Sequence, residues 1–328
     1  MFLTRGLAVS FSVFFLLYSV LSVAVALGWT VVAFFTRDRS QRVLADSLFL
    51  ARVFPLVVAA LATLLFVAPS FVLLEPRLEQ ERLGLLPLML GWAGSVLIVF
   101  GLWNAVVALK RTARVVLSWR SSSHAVESKA PVPVFCTSLA SGGCKEPPPF
   151  AVAGIVRPAV FMSAAAAATL TGPELESVIR HEVAHVRRRD NLKRLVFRMC
   201  AFPFMRSMEH AWAEATEAAA DDAAVSNVDE ALDLAAALVK LSRLVSGLGN
   251  VGSVEVRPNS QLTMALLHGG TSVPTRVERL VAWRCPPPAT ARAQRAAWTS
   301  AAVGVGVVAL SYGPLLAGAH AITELLMQ

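Results

Sequence analysis

The sequence predicts a multi-pass α-helical membrane protein with a soluble, mainly α (α+β) domain set between its third and fourth apolar stretches. Three observations carry that prediction. First, 55% of the 328 residues are hydrophobic and only 16% are charged, where a soluble domain carries about 25% charged residues. Second, residues 6–36, 53–74, 83–109 and 296–319 contain no Asp, Glu, Lys or Arg, and each exceeds the ~20 residues that cross a bilayer core. Third, the polar segment between the last two stretches alternates short β-prone runs with capped helical periodicity, the composition of one globular domain.

The stretch at 6–36 is read as a span because its apolar run far exceeds the ~7–15-residue core of a cleaved signal peptide. The stretches at 53–74 and 83–109 are joined by an acidic-leaning loop with Glu75, Arg77, Glu79, Glu81 and Arg82. The stretch at 296–319 is rich in Ala and Gly and holds Pro314; a span is expected there, with a buried or re-entrant helix as the alternative. Basic residues follow the first stretch (Arg37, Arg39, Arg42) and the third (Lys110, Arg111, Arg114, Arg120). The positive-inside rule then puts the domain after the third span on the cytoplasmic side of the cell membrane, with the N-terminus and the acidic loop outside. The expected division is 1–118 for three spans, 119–295 for the domain and 296–328 for the last span.

The net charge of +8 is on this reading a topology signal. A nucleic-acid surface would want a basic stripe interleaved with aromatics; none stands out, and no direct nucleic-acid contact is expected. Arg187-Arg188-Arg189 reads as a helix flank near anionic headgroups. Cys136, Cys144, Cys200 and Cys285 all fall in the cytoplasmic part and are expected as free thiols.

The domain opens with β-prone segments. Val132–Phe135 is broken by Pro133, and Phe150–Met162 holds two runs around a turn at Arg157-Pro158. Pro147-Pro148-Pro149 cannot join a sheet interior, so Phe150–Met162 is expected at a sheet edge. Thr171-Gly172-Pro173-Glu174 has the shape of a capping box and starts a helix. Leu195–Met205 is too short to span. Met208–Ser226, Asp229–Val245 and Arg276–Trp283 read as further helices, the last two flanking a polar, Gly-rich loop.

The capped helix runs into His181-Glu182-Val183-Ala184-His185. Positions i and i+4 stack on one helix face, so both imidazoles can aim at one Zn²⁺, with Glu182 beside it as general base for the attacking water. The bare pentapeptide is equally compatible with two surface histidines. The Ala-rich helix that follows carries Glu209, Glu214, Glu217, Asp221 and Asp222. A catalytic zinc needs a third ligand, often Glu, and outer carboxylates that orient the imidazoles. Glu217 and Asp221, one turn apart, can supply both, but by spacing alone Glu214 is nearly as good a ligand as Glu217, and a solvated acidic face is the plainer alternative.

Taken in order, Pro149-Phe150, Val156-Arg157-Pro158, the His181–His185 helix, Arg188-Arg189-Asp190-Asn191, Glu217-Ala218-Ala219-Ala220-Asp221-Asp222 and Arg276-Val277-Glu278-Arg279-Leu280 resemble the BlaR/MecR-type antirepressor membrane metallopeptidases, over about residues 130–283 and the layout of spans before them. The resemblance implies a gluzincin-type, zincin-like metalloprotease domain in which His181, His185 and Glu217 bind zinc and Asp221 is the supporting carboxylate. It also implies that a strand within Phe150–Met162 holds an extended substrate by strand addition. Antibiotic-sensing members carry a C-terminal penicillin-binding domain with Ser-x-x-Lys, whereas this sequence ends at Gln328 just after its last apolar stretch, so no β-lactam sensor is expected in it. Related prenyl-protease and heat-shock membrane proteases share a His-Pro…Arg-Ile segment; Arg276-Val277 matches only its second half, and His268 is off register.

The expected activity is zinc-assisted hydrolysis of a protein or peptide: a cytosolic transcriptional repressor, the chain itself, or both. The signal would arrive through the spans or a partner membrane protein. Arg276 is a candidate to steady the oxyanion, with a structural ion pair as the alternative. Two rival readings are a non-catalytic membrane regulator that binds a cytoplasmic partner, against which the intact Glu182 speaks, and a quality-control protease for membrane proteins.

Overall fold

The computed structural model describes residues 2–36, 40–74, 84–137, 148–248, 263–265, 273–284 and 312–327. Helices dominate. They are α1 (Phe2–Thr36), α2 (Gln41–Ala62), which continues through a π-helical turn at Thr63–Val67 into α3 (Ala68–Leu74), and α4 (Leu85–Ser121). Among the described residues three helical segments are long and apolar enough to cross a membrane: Thr4–Val31, Gln41–Leu74 and Leu85–Ser121. The last two are longer than the charge-free stretches, because the helix carries on through Arg42, Asp46 and Arg52 at one end and through Lys110–Arg120 at the other. Of the stretch at 296–319, residues 296–311 lie outside the described residues; the remainder falls in a final helix, Tyr312–Met327. Cys144 and Cys285 also lie outside, whereas Cys136 and Cys200 are buried thiols outside any disulfide.

The chain forms two compact units. The first gathers Met1–Gly28, Ala51–Phe100 and Pro286–Gln328. Here α1 and α4 approach through glycine: a Cβ at Gly91 would stand 2.6 Å from the Ala8 carbonyl oxygen. Ser12 Oγ donates to the Pro87 carbonyl at 2.6 Å. Small residues that let backbones meet, plus a hydroxyl bond, are what holds apolar helices together where no hydrophobic drive acts between them.

The second unit, Trp29–Leu50 with Gly101–Cys285, carries a five-stranded sheet. Its strands are β1 (Ser123–Val126), β2 (Val134–Thr137), β3 (Phe150–Ala153), β4 (Ala159–Ser163) and β5 (Thr263–Ala265), in the order β1-β2-β4-β3-β5. The β2–β4 pair is parallel. The β1–β2, β3–β4 and β3–β5 pairs are antiparallel. The helices of this unit are α5 (Ala164–Thr169), α6 (Gly172–Arg188), α7 (Asp190–Met199), α8 (Arg206–Ala224), α9 (Val228–Leu248) and α10 (Val273–Val281).

Alternation across the pleat explains why β3 and β4 are apolar throughout. Phe150, Val152, Val160 and Met162 pack with Val178 of α6, Leu234, Leu238 and Leu241 of α9, and Leu280 of α10. Ala151, Ala153 and Phe161 face the other way, against Val115, Val116 and Trp119 at the end of α4. The edge-strand expectation for Phe150–Met162 is therefore corrected. β3 lies between β4 and β5, β4 lies between β2 and β3, and the strand-addition edge expected there is already paired. The prolines did not enforce an edge because Pro149 stops one residue before the first ladder position, Phe150, so no ladder bond is lost.

Candidate metal centre

Helix α6 is built to start cleanly. Thr171 is its N-cap, Pro173 sits in the first turn, and the Glu174 carboxylate accepts the Thr171 amide at 2.8 Å. Glu174 also takes the Lys240 ammonium of α9 at 2.8 Å. Burial alone would raise its pKa, but the bonds from Lys240 and Thr171 outweigh it and hold the carboxyl below its ordinary value. Val178 is sealed in the core, which fixes the roll of the helix.

That roll turns His181, Glu182 and His185 inward; they are 0%, 0% and 2% exposed. The two imidazoles meet edge to face, with Nε2 atoms 3.1 Å apart. Glu217 of α8, also fully buried, stands opposite, with Oε2 3.6 Å from His181 Nε2 and Oε1 3.7 Å from His185 Nε2. One donor atom from each of the three lies within 4.8 Å of the others. Glu214 is half-exposed and pairs with His210 at 3.5 Å, away from this cluster.

The far nitrogen of each imidazole faces its own carboxylate. His181 Nδ1 lies 3.0 Å from Asp221 Oδ1, and His185 Nδ1 lies 2.8 Å from Asp190 Oδ2. In the neutral imidazoles such contacts favour the proton on Nδ1, with Nε2 directed into the cluster. Glu217 is buried with an ion-pair contact from Arg276, and both oxygens of Glu182 are buried without a hydrogen bond. Native proteins rarely leave carboxylates in that condition. Two converging imidazole nitrogens and the facing Glu217 carboxylate form the donor set that Zn²⁺ takes, so the residues present fit the ion.

Charge follows geometry. Burial pushes the Glu182 carboxyl up to about 7, with His181 and His185 opposing the rise. Burial would also raise Glu217, but His185, His181 and Arg276 bring it down to about 2. Burial alone would lower His181, yet Asp221 and Glu217 carry it up to about 9.

Arg276 of α10 is 2% exposed. It grips Asp221 with two bonds, Nε to Oδ2 at 3.0 Å and a terminal nitrogen to Oδ1 at 2.6 Å. Its other terminal nitrogen lies 3.1 Å from Glu217 Oε2. Arg279, one turn along, reaches Asp221 at 3.2 Å and Asp222 at 2.6 Å.

Sequence reasoning gave Asp190 and Arg279 no role. Asp190 is five residues past His185, which in a straight helix puts it about 140° round the axis. The chain corrects this at Arg189, whose left-handed backbone (φ 54°, ψ 39°) ends α6 and starts α7, swinging Asp190 back to the imidazole. The neighbouring Asn191 amide ties the turn to the end of β3 through the carbonyls of Val152 and Gly154, at 3.3 and 3.1 Å.

A cavity of about 320 Å³ opens on His185, lined by Val152, Gly154, Ile155, Pro158, Arg189 and Leu192 among others. A larger one of about 700 Å³ runs along another face of α6, past Leu175, Ile179, Val183 and Arg187, and touches none of His181, Glu182, His185 and Glu217. Size therefore does not locate the chemistry here, and the smaller cavity is the one beside the donor set.

Fold and site define a protein with membrane-type helices and an α+β unit of metallopeptidase type. A family model described as BlaR1 peptidase M56 matches residues 84–262, more than half of the chain. The chain belongs to that family of metallopeptidases, as the ordered motifs had implied. No curated protein and no solved structure matches it.

Proposed function

We propose that this chain is a multi-pass membrane zinc metalloendopeptidase whose unit at 119–295 hydrolyses peptide bonds on the cytoplasmic side, with His181, His185 and Glu217 as metal ligands. The observation that supports it best is the pairing of inward Nε2 atoms with outward carboxylates, next to a base whose oxygens have no other partner. When bound, zinc polarises the scissile carbonyl and acidifies the attacking water.

The protein's own part falls to four groups. Glu182, beside the donor set, accepts the proton of the attacking water and passes it to the leaving amine nitrogen. Asp221 and Asp190 hold the imidazoles in register. Arg276 holds Asp221 and Glu217 in place; its engagement with both favours this role over steadying the oxyanion. The cavity beside His185 is the candidate seat for a substrate side chain.

Orientation rests on the basic flanks at Arg37–Arg42 and Lys110–Arg120. The substrate is inferred from the family to be the chain itself, a transcriptional repressor, or both. The test is metal content and cleavage in membranes for wild type and Glu182→Gln. One zinc in each and cleavage only in wild type is the expected result. Equal cleavage by the variant, or no metal in wild type, would refute the reading.

A further inference from the structure

Asp46, on α2, has no part in the chemistry above, yet it connects to it through two shared cations. Its Oδ1 takes the Lys193 ammonium at 2.8 Å and an Arg188 guanidinium nitrogen at 3.6 Å. Both cations also face Asp190: Arg188 Nε lies 3.5 Å from Oδ2, and Lys193 Nζ lies 3.7 Å from Oδ1. Asp190 Oδ2 is the oxygen that meets His185 Nδ1 at 2.8 Å. Two carboxylates thus share two cations, and the inner carboxylate orients a candidate ligand.

The burial gradient sets the direction of influence. Asp46 is 45% exposed, Lys193 17%, Arg188 9% and Asp190 0% by side chain. An ion pair between exposed residues contributes little. Here the cations are largely withdrawn from water, so their charge must fall on whichever carboxylates remain. Without Asp46 both would act on Asp190 alone, Arg188 on the oxygen that faces His185 and Lys193 on the other oxygen of the same carboxylate.

A packed contact accompanies the charges. Phe49, three residues after Asp46 and on the same helix face, lies 5.5 Å from the Phe197 ring, and Lys193 stands 5.6 Å over the Phe49 ring. Phe197 in turn meets Trp212 of α8, the helix of Glu217, at 4.8 Å.

We propose that Asp46 is a positioning residue for His185: by holding Lys193 and Arg188 it sets where the Asp190 carboxylate meets the imidazole, and so makes metal affinity depend on the placement of α2. The inference rests on the reading of His185 as a metal ligand. A shift of α2 would then reach the metal centre without touching any ligand directly, a coupling of the kind a two-state switch requires.

The test uses the full-length protein, with zinc affinity measured by chelator competition and the ligand field read from the visible spectrum of the cobalt-substituted form. Removing an outer-shell partner costs 10–100-fold in metal affinity, and Asp46 acts one step further out, so Asp46→Asn should weaken zinc ~3–10-fold and shift the cobalt bands. Asp46→Glu should restore both. Lys193→Gln should resemble Asp46→Asn, and the double variant should be no worse than either single one.

Phe197→Leu loosens the same packed contact while leaving the Phe49 ring beneath Lys193 and the charges in place, and should change affinity less than Asp46→Asn does. If it weakens zinc as much as Asp46→Asn does, the effect is general packing and the proposal is wrong. Additive effects of Asp46→Asn and Lys193→Gln, or wild-type affinity in both, would also overturn it. His185→Ala separates the underlying reading: wild-type affinity in that variant removes the ligand assignment itself, whereas loss of zinc there beside an unaffected Asp46→Asn removes only the positioning role.

Discussion

The two candidate histidine ligands are supported by opposite kinds of structure. Behind His181 stands Asp221, clamped by Arg276 and Arg279 of α10, in a cluster where Asp221 is 0% and Arg276 2% exposed. Behind His185 stands Asp190, whose cations lead outward through Lys193 and Arg188 to the half-exposed Asp46 of α2. The first support is closed on itself within the core, and the second is open to the half-exposed start of α2 in the same unit. A closed cluster confers rigidity at the expense of any adjustment, since each member left unpaired is a buried charge. An open one can be adjusted from outside the core.

Four expectations probe that difference. The largest effect should come from Arg276→Met, which takes the ion pair from Glu217 and leaves Asp221 only Arg279. Breaking a buried pair in this way costs about 3–5 kcal/mol, so chemical denaturation should show a large loss of stability together with loss of zinc. A stable, zinc-replete Arg276→Met protein would erase the distinction between the two supports.

On the open side, Asp190→Asn should spare the fold but weaken zinc by about 10–100-fold, the usual effect of removing an outer-shell carboxylate. Chelator competition measures it. An unfolded variant would show that this side is as rigid as the other.

Glu174 serves as the reference, because it caps the helix that bears both histidines. Glu174→Gln should cost about 1 kcal/mol at pH 7, from the weakened capping box and the lost Lys240 bond. Its carboxyl is held below the ordinary 4.5, so this contribution is full above that value and fades as pH falls through the lowered folded-state value. The stability gap between wild type and variant should therefore close in acid; a gap that persists there would show that the effect is not ionic.

The smallest change is expected for Arg279→Gln. Arg279 is 30% exposed and its partner Asp222 28%, and Asp221 keeps its bidentate bond from Arg276, so a loss of about 0.5–1 kcal/mol is expected. A larger loss would show that Arg279, and not Arg276 alone, holds the Asp221 cluster together.

Much of this arrangement was legible before any coordinates. The i, i+4 histidines, the capping box at Thr171–Glu174 and the Glu-x-x-x-Asp spacing of Glu217 and Asp221 are local signals, and helix geometry converts them directly into shared faces. The separation of Glu217 from Glu214 came from the ordered resemblance, since both lie in one helix at usable spacings; in the fold Glu214 turns outward to His210. The edge-strand expectation for Phe150–Met162 went astray because sheet order is a non-local property. A three-residue strand at 263–265, more than a hundred positions on, pairs with β3, and nothing in the alternation of Phe150–Met162 announces it.

By itself the sequence determined the class of chain, the long apolar helices, the helix with two imidazoles on one face and a carboxylate beside them, and the family. These depend on composition and on contacts within a few residues, where backbone geometry leaves little choice. Only the tertiary structure decided which carboxylate serves which imidazole. Asp190 reaches His185 because Arg189 adopts a left-handed turn, Arg276 closes on Asp221 from 55 residues away, and Asp46 meets Lys193 across 147. Those pairings were decided by helix packing, because a charge finds its partner through the space that apolar contacts leave, and no spacing along the chain encodes that distance.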